Sequence, residues 1–78
     1  MNELRTPRQQ AIVESVANGE VGYGTHFGGF YYSRVLQFEF AAEDQDFLRK
    51  LYRAGEIWHK VIDPFDFEVR LTEPTTED

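Results

Sequence analysis

A chain of 78 residues has room for one domain and none for a second core. It contains no cysteine, which excludes disulfides and a thiolate metal site, and its formal net charge of −6 makes polyanions poor partners. Seven Phe, four Tyr and one Trp supply a large apolar area, either as core or as a binding patch.

The first predicted element is a helix from Pro7 to Asn18. Thr6 is its N-cap, Pro7 fits the first helical position, Gln9 completes a capping box, and Asn18-Gly19 is the stop. Ile12, Val13, Val16 and Ala17 recur on one side of it. Four of the six glycines then fall between Gly22 and Gly29, so this stretch should bend freely, with Val21 to Tyr23 pairing back across the loop as a short strand.

From Phe30 to Phe40 the residues alternate. Phe30, Tyr32, Leu36, Phe38 and Phe40 form the expected inward set, and Tyr31, Ser33, Val35, Gln37 and Glu39 the outward one. Arg34 breaks the inward set, as a bulge or an end would, and a helical turn between Tyr31 and Leu36 is the alternative. A second helix covers Ala42 to Ala54, with Phe47, Leu48, Leu51 and Tyr52 as its apolar stripe and Gly55 as its stop. Its acids lie early and its bases late, which complements the helix dipole. Ile57–Ile62 and Phe65–Thr72 form a hairpin turning at Asp63-Pro64, with Phe65, Phe67, Val69 and Leu71 on one side. The fold class is therefore α+β in the order α-β-β-α-β-β. Residues 1–72 make a single globular domain and residues 73–78 an acidic, flexible tail, with Glu73 opening it. No apolar run reaches membrane-spanning length and Met1 to Gln10 is too polar for a signal peptide, so a soluble, cytoplasmic protein is expected.

The stretches FLRKLYRAGEI and FEVRLTE carry a resemblance. Leu48, Leu51, Gly55 and Ile57, then Val69, Leu71 and Thr72, are similar to the recognition helix and wing of winged-helix domains, over helix 43–54 and hairpin 57–72. LRTPRQQAIVESVANGEV resembles that family's first helix. The resemblance implies a small bacterial or phage regulator and a duplex held by the second helix. The family places a further helix between the two, where this chain has glycines and alternation. The expectation is either a degenerate winged helix or an α+β fold sharing only the helix-hairpin unit.

Under that resemblance the nucleic-acid candidates are Arg49, Lys50 and Arg53, which a helical wheel of about 100° per residue sets opposite the apolar stripe, together with Lys60 on the hairpin. Asp46 sits within ion-pair reach of Arg49 and Lys50, and Asp63, Asp66 and Glu68 surround the hairpin tip, which opposes phosphate binding. Catalysis is not expected. His26 and His59 show no metal-ligand spacing, and the glycines of GYGTHFGG lack the Lys-Ser/Thr and helix of a phosphate loop, so neither metal nor cofactor is expected.

The leading expectation is a non-enzymatic protein-binding module, regulatory or inhibitory, of the kind phage and mobile elements encode. Its candidate contacts are Tyr23, Phe27, Tyr31 and Tyr32 at the aromatic loop, and Asp63, Asp66 and Glu68 on an acidic ribbon that could imitate DNA toward a nucleic-acid-handling protein. The same tyrosines could instead line a homodimer seam.

Overall fold

Residues 5–25 and 28–72 are described in the structure, a computed structural model. The elements are α1 (Pro7–Ala17), β1 (Val21–Gly24), β2 (Phe30–Ser33), α2 (Ala42–Arg53), β3 (Ile57–Asp63) and β4 (Asp66–Leu71), the α-β-β-α-β-β order expected. The strands form one antiparallel sheet in the order β2-β1-β4-β3.

Both helices begin and end where local chemistry dictates. Thr6 Oγ1 accepts from the Gln9 N–H and Gln9 Oε1 accepts from the Thr6 N–H, each at 3.1 Å, which closes the capping box of α1. At the other end Gly19 adopts φ 76°, and the Gly19 and Glu20 N–H groups bond back to Val16 and Ser15. Gly55, at φ 79°, ends α2 the same way, with Gly55 and Glu56 bonding back to Tyr52 and Leu51.

The two helices cover one face of the sheet. Ile12 and Val16 of α1 and Leu48 and Leu51 of α2 pack on Val21, Tyr31, Ile57 and Val69, with Phe47, Phe40 and Tyr23 at the margin. Among the described residues no helix lies over the opposite face, so it presents Phe30, Tyr32, Trp58, Lys60, Asp66, Glu68 and Arg70 by strand alternation. α1 and α2 are joined by Arg8, whose Nη2 lies 2.6 Å and Nε 3.1 Å from Oδ2 of the buried Asp44. Among the described residues no helix is long and apolar enough to cross a membrane.

The stretch from Phe30 to Phe40 departs from expectation. It is not one long strand. β2 ends at Ser33, the chain turns through Arg34–Leu36, and Gln37 at φ 60° sends it back, so that Glu39 bridges to Tyr32. Ser33 drives the reversal: its Oγ accepts from the Leu36 N–H at 3.0 Å and its carbonyl accepts from the Gln37 N–H at 2.9 Å. The inward set is also the other one. Tyr31 and Ser33 are buried beside Tyr23 and Val21, while Phe30 and Tyr32 face outward. Gly22 and Gly24 do not bend the chain but belong to β1. A Cβ on Gly22 would lie 2.6 Å from the Tyr32 ring, so the missing side chain is the space that ring occupies.

Gln45 seals the free edge of β2. Its Oε1 accepts from the Tyr31 N–H at 2.8 Å, and its Nε2 donates to the carbonyls of Tyr31 at 2.8 Å and Phe40 at 3.1 Å. The side chain thereby stands in for one residue of a neighbouring strand. Gln45→Ala leaves the buried Tyr31 N–H without a partner, while the Tyr31 carbonyl keeps the Phe40 N–H at 3.2 Å, and is expected to cost about 1–3 kcal/mol, read as a lower urea midpoint.

A candidate binding groove on the uncovered sheet face

The reversal after β2 and the β3–β4 turn rise on either side of the uncovered sheet face, and between them lies a groove of about 930 Å³. Its floor is Gly24 of β1, where no side chain fills the space, and the Phe30 ring lies 3.3 Å from the place a Cβ would take. Phe30, Tyr32, Phe38 and Phe65 supply rings, and Glu39, Asp63 and Asp66 supply carboxylates against one guanidinium, Arg34.

Asp66 is the polar centre. The Tyr32 hydroxyl donates to its Oδ1 at 2.5 Å, and Arg34 Nη1 lies 3.6 Å from its Oδ2 and 3.4 Å from the Tyr32 oxygen. Burial raises the Tyr32 pKa, and the bond to Asp66 and its charge raise it further, so the phenol stays protonated as the donor. Asp63 shapes the rim, its Oδ1 accepting from the Phe65 N–H at 3.0 Å in a turn of the Asx kind. Glu68 lies one pleat away on the same face, 3.6 Å from Arg70.

The expected contact residues therefore divide. Tyr32, Asp63 and Asp66 meet in the groove, with Glu68 beside it. Tyr31 is 1% exposed and packs beneath the helices, and Tyr23 lies on that face too, because the alternation of β2 runs in the opposite phase. Phe27, like His26 and Glu73, lies outside the described residues. The groove also contains Phe30, Arg34, Phe38, Glu39 and Phe65, which sequence reasoning does not single out as contacts. The signal that could find them is the Gly22/Gly24 spacing, which strips one face of a strand of side chains and leaves room for neighbouring rings.

The nucleic-acid candidates are separated. Arg49, Lys50 and Arg53 are exposed on α2, with Arg49 3.2 Å from Asp46, whereas Lys60 belongs to the uncovered sheet face opposite the helices. Arg5, Arg8, Arg34 and Arg70 are each paired to a carboxylate as well.

Beneath the helices His59 lies between two tyrosines. Its ring centroid is 4.2 Å from that of Tyr52 and 4.5 Å from that of Tyr23, both nearly parallel, and its Nε2 is 2.9 Å from the Tyr31 hydroxyl. Burial pushes the Tyr31 phenol up and the His59 imidazole down, so both are neutral at pH 7. A neutral pair is satisfied with the phenol donating to Nε2 and the ring proton on Nδ1. Because the folded His59 holds its proton less tightly than the unfolded one, its contribution to stability is full above the unfolded value of 6.5 and declines as the pH falls below it. Urea midpoints between pH 7.5 and 5.5 should therefore fall in the wild type, by an amount on the order of what a single shifted group contributes. In His59→Phe the midpoint should be lower at neutral pH, through the stranded Tyr31 hydroxyl, but should change less across that range. Among the described residues no three His, Asp or Glu side chains converge as a metal site.

Comparison of the chain with family models, with curated proteins and with solved structures found no match.

Proposed function

We propose that this protein is a non-enzymatic protein-binding module whose groove takes an extended, cationic segment of a partner, and that it regulates or inhibits the partner by occupying that segment. One observation carries the reading: four aromatic rings surround three carboxylates and one guanidinium on a sheet face that no helix among the described residues covers. Arginine and lysine suit such a lining twice over, since the carboxylates attract the charge and the ring faces accept it by cation–π contact. Basic segments of this kind are common in proteins that handle nucleic acid, for which an acidic groove competes with the phosphate backbone.

The second reading is a winged-helix regulator that binds duplex DNA. The exposure of Arg49, Lys50 and Arg53 together on α2 favours it. Fluorescence anisotropy with a labelled arginine-rich peptide and a labelled duplex, each at low and high salt, separates the two. The proposal expects saturable peptide binding weakened by salt and no duplex binding. Duplex binding abolished in Arg53→Glu, with the peptide silent, would favour the second reading.

A further inference from the structure

The central carboxylate of the groove is already engaged. The Tyr32 hydroxyl donates to Asp66 Oδ1 at 2.5 Å, and Arg34 Nη1 stands 3.6 Å from Oδ2 and 3.4 Å from the Tyr32 oxygen. The backbone of Arg34 is fixed as well, its N–H donating to the Glu20 carbonyl at 2.8 Å. The protein's own guanidinium therefore takes the place that a partner's arginine would seek. Asp63 is partly engaged too, through the Phe65 N–H. The aromatic rings remain. Phe30 and Tyr32 lean across β1, their far ends over Gly24 and Gly22, with centroids 5.9 Å apart and planes tilted by 53°. They form two walls of a corner instead of a stack. Phe38 lines the groove from the reversal, edge-on at 5.5 Å to Phe40, which itself packs on the core.

Granted the cationic segment proposed above, we infer that the groove selects methylated lysine, and trimethyllysine most strongly, over lysine and arginine. The selection follows from the number of donors each cation brings. A guanidinium carries five N–H donors and a primary ammonium three, and each donor drawn out of water needs an acceptor or costs free energy. With Asp66 held by Tyr32 and Arg34, the centre of the groove offers few acceptors. A trimethylammonium needs none. It keeps the positive charge, and its methyl groups can meet ring faces, where the ring quadrupole attracts a cation. Glu39 and Asp63, on the two sides of the groove, attract the charge at longer range without having to bond it. Lysine, arginine and trimethyllysine each carry one positive charge, so this long-range attraction is common to all three and cancels in their ratio. A groove of about 930 Å³ is far larger than a quaternary headgroup, which suits a side chain borne on an extended segment better than a free small cation.

Calorimetric titration of the full chain with four matched peptides tests this, with an arginine-rich peptide as the control for the groove itself. The four share one extended, otherwise uncharged sequence and differ at a single central position. That position holds lysine, arginine, trimethyllysine, or the neutral isostere of trimethyllysine with carbon in place of nitrogen. The trimethyllysine peptide should bind about tenfold more tightly than the lysine and arginine peptides, and the isostere should lose that gain. In Arg34→Gln, which frees Asp66 for a partner's guanidinium, the arginine peptide should close most of the gap to trimethyllysine. Binding of the arginine-rich control with trimethyllysine no tighter than lysine overturns the inference and leaves the proposed function standing. An isostere equal to trimethyllysine also overturns it, since burial of methyl groups then accounts for the gain. An unchanged ratio of arginine to trimethyllysine binding in a folded Arg34→Gln overturns the part given to Arg34. If no peptide binds, the control included, the proposed function fails and the inference with it.

Discussion

Leu48→Ala is expected to lower the unfolding free energy by about 2–5 kcal/mol, which is most of what a short domain has. Leu48 is fully buried on the face of α2 that meets the sheet and belongs to the cluster of Ile12, Val16, Val21, Tyr31, Leu51, Ile57 and Val69. Truncation removes transfer energy and leaves a cavity between an α-helix and four strands that cannot close without moving the helix. Urea titration followed by circular dichroism should show a large fall in midpoint with little change in slope. Phe47→Ala, at a partly buried position of the same helix, should cost less, and Tyr52→Ala, on a half-exposed ring, less again. A Leu48→Ala midpoint equal to the wild type would mean that α2 does not rest on the sheet as described.

Asp66→Lys is expected to abolish peptide binding while leaving the fold intact. Asp66 lies where the Tyr32 hydroxyl and the Arg34 guanidinium converge, and it is the groove carboxylate that orients both. The substitution sets an ammonium beside the Arg34 guanidinium in a groove proposed for a cationic segment, converting attraction into repulsion. Removing one member of a charged interface pair typically costs about 2 kcal/mol or more, so affinity should drop by at least about thirtyfold. Asp66→Asn keeps an acceptor for Tyr32 and should lose less. The contrast between the two variants separates charge from hydrogen bonding. The free protein should tolerate either change, because the site is at the edge of solvent and not in the core.

Much of the fold is legible in the sequence because its signals are local. Thr6, Pro7 and Gln9 mark one helix start, Gly19 and Gly55 mark both helix ends, and the Phe67, Val69, Leu71 alternation marks a half-buried strand; each acts within a few residues. The region from Phe30 to Phe40 misleads because its period of two survives a reversal. The segment returning through Glu39 lies antiparallel to β2, so its side chains alternate as if the strand had continued. What distinguishes the cases is long-range: Gln45, fourteen positions from Tyr31, bonds both backbone groups of that residue and so fixes which face of β2 turns inward. Asp44 and Gln45 read as polar residues of an exposed first helical turn, yet both are buried, because their partners Arg8 and Tyr31 come from elsewhere in the chain. The acidic half of the candidate site is visible in the hairpin carboxylates. Its aromatic half is not, since Phe30, Phe38 and Phe65 meet only when the two turns rise on the same face.

The most direct measurement is a titration of the isotope-labelled full chain, followed by backbone amide shifts, with an arginine-rich peptide in one series and a duplex in the other. Saturating shifts at Phe30, Tyr32, Asp63 and Asp66 with the peptide, and none along α2 with the duplex, are the predicted result. Shifts at Arg49, Lys50 and Arg53 on adding duplex, with the groove amides unmoved by peptide, would contradict it.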